Sequence, residues 1–253
     1  MTIRTIASAG WIKQSAANVL CSQPMGQLLR KVFRNRIPHR RNTIEVPDDV
    51  NPAIPAMLFW GVYESAEIRF VKKYLSDELP VVELGSSLGG VSCEIAKRLR
   101  GRQKLVCVEA NPHLAPYLKR NIARNCPAQS VAYYHAAISY VDADYTQFGV
   151  EGDSLCSSLN DDGIEVPTLT LGQILNRESF TEFRLVSDIE GAEWELLTHD
   201  LSALKRCKQT IIEMHETRDG SRLRTVDELV EQWVARTHHR LVARYGPVCV
   251  FEA

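Results

Sequence analysis

The stretch "VVELGSSLGG", Val81 to Gly90, runs from a short β-branched apolar segment into a glycine loop and then into the helix-period segment "VSCEIAKRL". A strand, a loop and a helix in that order make the first half of a βαβ unit. The rhythm continues downstream in "KLVCVEA" (104–110), "SVAYYHAAIS" (130–139), "FRLVSDIE" (183–190), "QTIIEMHE" (209–216) and a terminal pair in "HRLVARYGPVCVFEA". Apolar runs of this length, separated by helix-period segments, predict an α/β fold: a mostly parallel sheet covered on both faces, with seven strands in total.

The intervening helices follow from four-residue spacing. Val91, Ile95, Ala96 and Leu99 share one face, as do Leu114, Leu118 and Ile122, with Pro116 placing the start of the second helix near His113. In "TVDELVEQWVARTHH", Thr225 and Glu228 form a capping box ahead of a stripe of Val226, Leu229, Val230, Trp233 and Val234. Gly246-Pro247 marks a turn, so the sheet is expected to close with an antiparallel hairpin. Two regions break the rhythm. Residues 1–58 read as an extension, helical from about 8 to 33 and then irregular through the proline-rich "NRIPHRRNTIEVPDDVNPAIPA"; residues 59–253 read as the main domain. Residues 140–182 exceed a simple crossover and include "SLCSSLN" (154–160), a candidate source of hydroxyl donors at the ligand-binding edge.

Composition narrows the class. The chain has 253 residues, 45% hydrophobic and 24% charged, which suits one sizeable domain with an extension. A formal net charge of -1 argues against a surface built for nucleic acid, and no nucleic-acid partner is expected. The seven cysteines never fall in a CxxC spacing, so a reducing compartment and no structural zinc are expected. No apolar run approaches the roughly 18 residues of a membrane span, and the first twenty residues lack a signal-peptide core. A cytoplasmic location is the expectation. The basic group Arg30, Lys31, Arg34, Arg36, His39, Arg40 and Arg41 leaves peripheral membrane contact through residues 30–41 open beside its plainer reading as a solvated face.

The glycine loop points to a nucleoside. Its spacing is GxxxGG rather than GxGxxG, and Glu83 precedes Gly85 by two positions. A carboxylate is a poor neighbour for a pyrophosphate and a good one for an ammonium group. Glu109 follows the loop by roughly 20 residues, where an acidic side chain accepts both hydroxyls of a ribose. An adenosine carrying an amino-acid tail, S-adenosylmethionine, fits this pair.

In order, "VVELGSSLGG", "LVCVEANPHLAPYLKRNIARN", "HAAIS", "LVSDIEGAEWELL" and "IIEMHE" resemble the FkbM methyltransferases, whose hallmark reads close to K-I-D-V-E-G-A-E, and "FWGVYESAEIRFVKKYL" is similar to the segment before that family's glycine loop. The resemblance spans about Phe59 to Glu216 and is most specific in "DIEGAE". It implies a class I methyltransferase, Rossmann-like fold that uses S-adenosylmethionine to methylate a hydroxyl of a sugar, glycolipid or natural product. It places Glu83, Gly85 and Gly89 under the methionine part of the cofactor, Glu109 at the ribose, and Ala136 and Ala137 near the adenine, with Ser87 and Ala110 as further cofactor-binding candidates. Asp188 then falls beside the transferred methyl. The chain departs from the family in Val186-Ser187, where a lysine-containing pair is usual, and in Glu83, where aspartate is commoner.

An alcohol needs alignment and a proton acceptor, so Asp188 is the first catalytic candidate and Glu190 the second. Glu193 reads as a first-turn carboxylate favoured by the helix dipole. On the next strand end, strand alternation sends Glu213 and His215 to one face. His215 is a candidate base, and Asp188, Glu213 and His215 are candidate ligands for a divalent cation. Trp60 and Tyr63 line the substrate mouth or staple the helix that follows. Two alternatives stay open: an NAD-linked or nucleotide-sugar Rossmann enzyme, and a non-catalytic binding or scaffold protein on the same fold.

Overall fold

The structure, a computed structural model, describes residues 19–150, 157–159, 163–219 and 222–253. Its elements in chain order are helix α1 (Gln23–Phe33), strands β1 (Arg36–His39) and β2 (Asn42–Glu45), helices α2 (Ile54–Phe59) and α3 (Ser65–Tyr74), β3 (Val81–Leu84), α4 (Gly90–Leu99), β4 (Leu105–Glu109), α5 (Ala115–Asn125), β5 (Val131–His135) and β6 (Ala137–Ile138). There follow β7 (Tyr145–Val150), β8 (Ser157–Leu159), β9 (Ile164–Leu169), α6 (Leu171–Glu178), β10 (Phe183–Ser187), α7 (Glu193–His199), α8 (Leu201–Leu204), β11 (Cys207–Glu213), β12 (Thr217–Asp219), β13 (Arg222–Arg224), α9 (Val226–Thr237), β14 (Arg240–Tyr245) and β15 (Val248–Glu252).

The main sheet has seven strands in the order β14-β15-β11-β10-β3-β4-β5. The neighbours from β5 to β11 pair in parallel, while β15 is antiparallel to both β11 and β14. This is the expected sheet with its terminal hairpin. Side chains alternate between two layers. Val81, Leu105 and Cys107 join one buried cluster with Val91, Ile95 and Leu118, and Val82, Leu84, Val106 and Val108 join the other with Ile174, Leu197 and Trp233. The chain moves outward from β3 to β5, then returns to β10 on the other side of β3, so the β3–β10 junction is the topological switch point.

Several local expectations need correction. The helix at the N-terminal side begins at Gln23, after a turn at Cys21-Ser22; the part expected before residue 19 lies outside the described residues. The proline-rich segment is not irregular: Arg36–Glu45 forms a hairpin that pairs Ile37 with Ile44 and His39 with Asn42. Its two-residue turn at Arg40-Arg41 puts Arg40 in the left-handed region, and Pro38 is accommodated because the strand is free of the main sheet. The open edge of β2 is closed by two asparagines one helical turn apart on α5. Asn125 Oδ1 accepts from Thr43 N at 2.9 Å and Asn121 Oδ1 from Glu45 N at 2.7 Å, while their amides donate back to the carbonyls of the same residues at 2.9 and 3.0 Å.

Ile37 and Ile44 are fully buried and share a core cluster with Val71, Leu88 and Ile122. The boundary drawn between residues 58 and 59 falls inside α2. The run 130–139 is split at Ala136: β5 belongs to the main sheet, whereas β6 starts a second sheet, β6-β9-β7-β8, built from the insertion. On α9 the capping box is present, but Val234 is exposed and Thr237 completes the buried face. Among the described residues no helix is long and apolar enough to cross a membrane.

Because Ile37 and Ile44 sit in the shared core, replacing either with alanine is expected to cost about 2–5 kcal/mol in urea unfolding. A cost below about 0.5 kcal/mol, typical of surface positions, would show the hairpin to be peripheral.

Candidate active site

Gly85 ends β3 with a φ of 78°, and a Cβ built there would lie 1.7 Å from the carbonyl oxygen of Asp188. Only glycine allows both the turn and that approach. The two strand ends are further joined by Asp188 N donating to Leu84 O at 2.9 Å. Above this junction opens a cavity of about 570 Å³, a size usual for small-ligand sites.

The cavity has three regions. At one end Ala110, Ala137, Ile138 and Phe148 make an apolar slot; in the middle stand Gly85, Ser87 and Glu109; at the other end Glu67, Asp188, Glu190 and Glu213 face the turn at Tyr245-Gly246-Pro247. Its remaining wall comes from the segment read as an extension and from the start of α3, through Asn51, Ile54, Met57, Tyr63 and Glu64. Among the described residues no lysine, arginine or histidine lines it.

Most of the sequence-predicted cofactor residues meet here, with two exceptions. Glu83 does not line the cavity. Pleat alternation turns it into the helix layer beneath the loop, where it is 2% exposed and accepts hydrogen bonds from Ser92 Oγ and Cys107 Sγ. Burial raises its carboxyl to about 7. Gly89 serves as the N-cap of α4 with a φ of 84° and likewise stays off the cavity wall. Glu109 is in place: its Oε2 accepts from Ser87 N at 2.6 Å and its Oε1 from Asn111 N at 2.7 Å, which fixes the carboxylate and leaves lone pairs toward the cavity. Burial outweighs these amide bonds and raises Glu109 to about 7.

The acidic end is organised around His215, which lies behind the cavity wall rather than on it. Its Nδ1–H donates to Glu193 Oε1 at 2.8 Å, and its Nε2 is turned toward Glu190, Asp188 and Glu213 at 3.5, 3.7 and 3.8 Å. Glu193 is therefore more than a first-turn carboxylate: its side chain is fully buried and holds the imidazole. Burial disfavours the imidazolium, but the Glu193 bond and the surrounding carboxylates outweigh it and raise His215 to about 9. Asp188 is raised to about 7 by burial and by Glu190, and Glu213 to about 8 by burial and its hydrogen bond with Glu67. The Asp188 Oδ1 atom is buried without a hydrogen-bond partner. Ligand atoms of Asp188, Glu213 and His215 lie within 4.8 Å of one another.

Sequence reasoning gave Glu64 and Glu67 no role, although "ESAE" places two carboxylates three residues apart at the start of a helix, a spacing that puts them on one face. Tyr63 lines the cavity and its hydroxyl lies 3.1 Å from Ser87 Oγ, whereas Trp60 lies off the cavity wall and donates its indole N–H to Leu20 O. Of the basic group at 30–41, Arg30 caps the carbonyls of Asp48 and Val50, Arg40 donates to Gly61 O, and His39 is fully buried against Leu58 O. Most of "SLCSSLN" lies outside the described residues.

An apolar slot, a clamped carboxylate and an acidic chamber, in line along one cavity, suit adenine, ribose diol and a sulfonium-bearing tail in that order. The Methyltransferase FkbM domain matches residues 89–240. No curated protein matches the chain. Among solved structures, the delta-N METTL16 MTase domain is similar at 11% identity and a TM-score of 0.46, over 91% of this chain and 97% of that one. TrmK of M. capricolum in complex with S-adenosyl-homocysteine is similar at 8% identity and a TM-score of 0.40, over 73% and 66%. The 23S rRNA methyltransferase ErmE is similar at 16% identity and a TM-score of 0.34, over 58% of this chain and only 44% of its own. The NAD-linked alternative is set aside by the family match, which covers more than half of the chain. With its class I methyltransferase sheet, the chain belongs to the FkbM methyltransferase family and uses S-adenosylmethionine.

Proposed function

We propose that the chain transfers the methyl group to a hydroxyl oxygen of a sugar, glycolipid or related natural product. The observation that carries this reading is the acidic chamber beside Gly85, whose carboxylates are held near neutrality. The cofactor supplies an activated methyl on a sulfonium. The chain must bring the acceptor oxygen into line and give its proton a destination. Asp188, raised to about 7, is the acceptor of that proton, and Glu190 is the second candidate. A base is most effective when its pKa lies near the working pH.

His215 acts one layer back as a positioning residue. Held by Glu193 and raised to about 9, it carries positive charge at neutral pH and favours the ionised forms of Asp188 and Glu190. The carboxylates also suit the cationic cofactor. A cavity without lysine or arginine favours a neutral acceptor over a phosphorylated or nucleic-acid one.

The mutual approach of Asp188, Glu213 and His215 supports a second reading, in which a divalent cation held by them polarises the acceptor hydroxyl. Added magnesium or manganese would then raise turnover and a chelator abolish it. Turnover indifferent to both leaves Asp188 as the proton acceptor.

Asp188→Asn is expected to leave binding of S-adenosylhomocysteine within about twofold while slowing methyl transfer by roughly 10²–10⁴-fold, measured by calorimetry and by mass spectrometry of the product. Wild-type turnover in that variant would remove Asp188 from the reaction. Wild-type protein that binds cofactor but methylates no hydroxyl across a panel of glycosides would favour the scaffold reading.

The same carboxylates make stability fall with pH. Between about pH 5 and pH 8 the folded chain keeps protons on Asp188 and Glu213 that the unfolded chain has released, so the native state is progressively disfavoured as pH rises. The ion-paired Glu45, Glu94 and Glu178 are held below the usual range, and their opposite contribution is complete above that range. Melting temperature of the ligand-free protein should drop across this window. Asp188→Asn should flatten the drop and melt roughly 2–4 °C higher than wild type at pH 8. A melting temperature that rises from pH 5 to pH 8 would contradict the protonation scheme.

A further inference from the structure

We infer that Glu64 is the carboxylate that binds the ammonium group of the cofactor's amino-acid tail, with the Tyr63 hydroxyl beside it. The inference rests on the S-adenosylmethionine reading and moves the ammonium subsite from the motif glutamate, Glu83, to a residue 25 positions ahead of the family match at Gly89.

Position comes first. Glu64 lines the cavity, and its Oε2 lies 2.6 Å from where a Cβ on Gly90 would stand, in the first turn of α4. Its carboxylate is therefore packed against the end of the glycine loop, on the methionine side of Ser87 and Glu109. Glu83 cannot serve there, because it lies off the cavity wall, buried below the loop, where its Oε2 accepts from Ser92 and Cys107. Glu109 stands at the ribose position, and Asp188, Glu190 and Glu213 belong to the acceptor end.

The second observation is an unmet need. Glu64 Oε2 is buried and has no hydrogen-bond partner; among the described residues, the carboxylate oxygens in that state that belong to the cavity wall are those of Glu64 and Asp188. Burying a carboxylate oxygen without a donor is costly, and proteins rarely do so without a ligand or ion to meet it. Burial is also the main cause of its raised pKa, reinforced by the facing carboxylates of Asp188, Glu67 and Glu83; the Tyr63 hydroxyl offsets this only in part. Among the described residues no cationic side chain lines the cavity wall, and a cationic ligand group would supply the charge that these groups call for. An ammonium brings three donors and a positive charge.

The third is backbone geometry. Glu64 adopts φ 48° and ψ 34°, left-handed values that a non-glycine residue takes only under constraint. That conformation precedes α3 directly and turns the side chain back over the loop. The neighbouring Tyr63 hydroxyl lies 3.1 Å from Ser87 Oγ and hydrogen-bonds the Glu64 carboxylate, which holds that carboxylate at the loop.

The test is calorimetric and compares S-adenosylhomocysteine with 5′-methylthioadenosine, which keeps the nucleoside and thioether but lacks the amino acid. Glu64→Gln is expected to weaken S-adenosylhomocysteine about tenfold or more while leaving 5′-methylthioadenosine within about twofold. Unchanged affinity for both, or an equal loss for both, would overturn the ammonium role. Should the variant fail to fold, wild-type protein decides the matter with the S-adenosylhomocysteine analogue whose amino group is replaced by hydrogen. A loss of about tenfold is expected, and equal binding would overturn the inference. Wild-type protein that binds neither nucleoside would instead defeat the cofactor reading on which this one stands.

Discussion

The approach of Gly85 to the Asp188 carbonyl is the constraint on which the site depends. Strands β3 and β10 are neighbours in the sheet but far apart in sequence, and the chain leaves their carboxyl ends in opposite directions. At that divergence a cleft opens without any side chain having to be removed. The glycine lets one strand end touch the other, which fixes Asp188 relative to the glycine loop and sets both in one frame.

The chemistry is bought with electrostatic strain. Several carboxylates face one cavity with a single histidine behind them, and burial raises Asp188, Glu109 and Glu213 into the neutral range. Such an arrangement disfavours the empty folded state and favours a cationic ligand, because the positive charge relieves repulsion that the protein leaves unrelieved. His215 moderates the strain without abolishing it. Its orientation depends on Glu193, a fully buried carboxylate contributed by the helix that follows the Asp188 loop.

The N-terminal hairpin and the segment that follows it complete the enclosure. Asn121 illustrates how: from α5 it bonds the backbone of Glu45 and also donates to Leu88 O in the glycine loop. One side chain therefore ties the hairpin to the glycine loop. Past the hairpin, Ile54, Met57, Tyr63 and Glu64 form a wall that the main sheet alone would lack.

Much of this was legible in the sequence. The alternation of apolar runs and helical spacing determined the seven-stranded sheet, the Thr225–Glu228 capping box and the terminal hairpin, because local patterns fix local structure. "DIEGAE" and the Glu109 position pointed to residues that the structure brings to one cavity. The hairpin at 36–45 was hidden because its strands are four residues each and their edge is satisfied by asparagines from a distant helix. Glu83 misled for a related reason: in a strand buried on both faces, period two assigns a residue to a layer without saying which layer meets the ligand. The sequence by itself determined which elements of the main sheet form and which residue types end each of its strands. Only the tertiary structure decided which carboxylates share one cavity, since burial, facing charge and the approach of Glu64 to Gly90 arise from contacts between segments that no local pattern encodes.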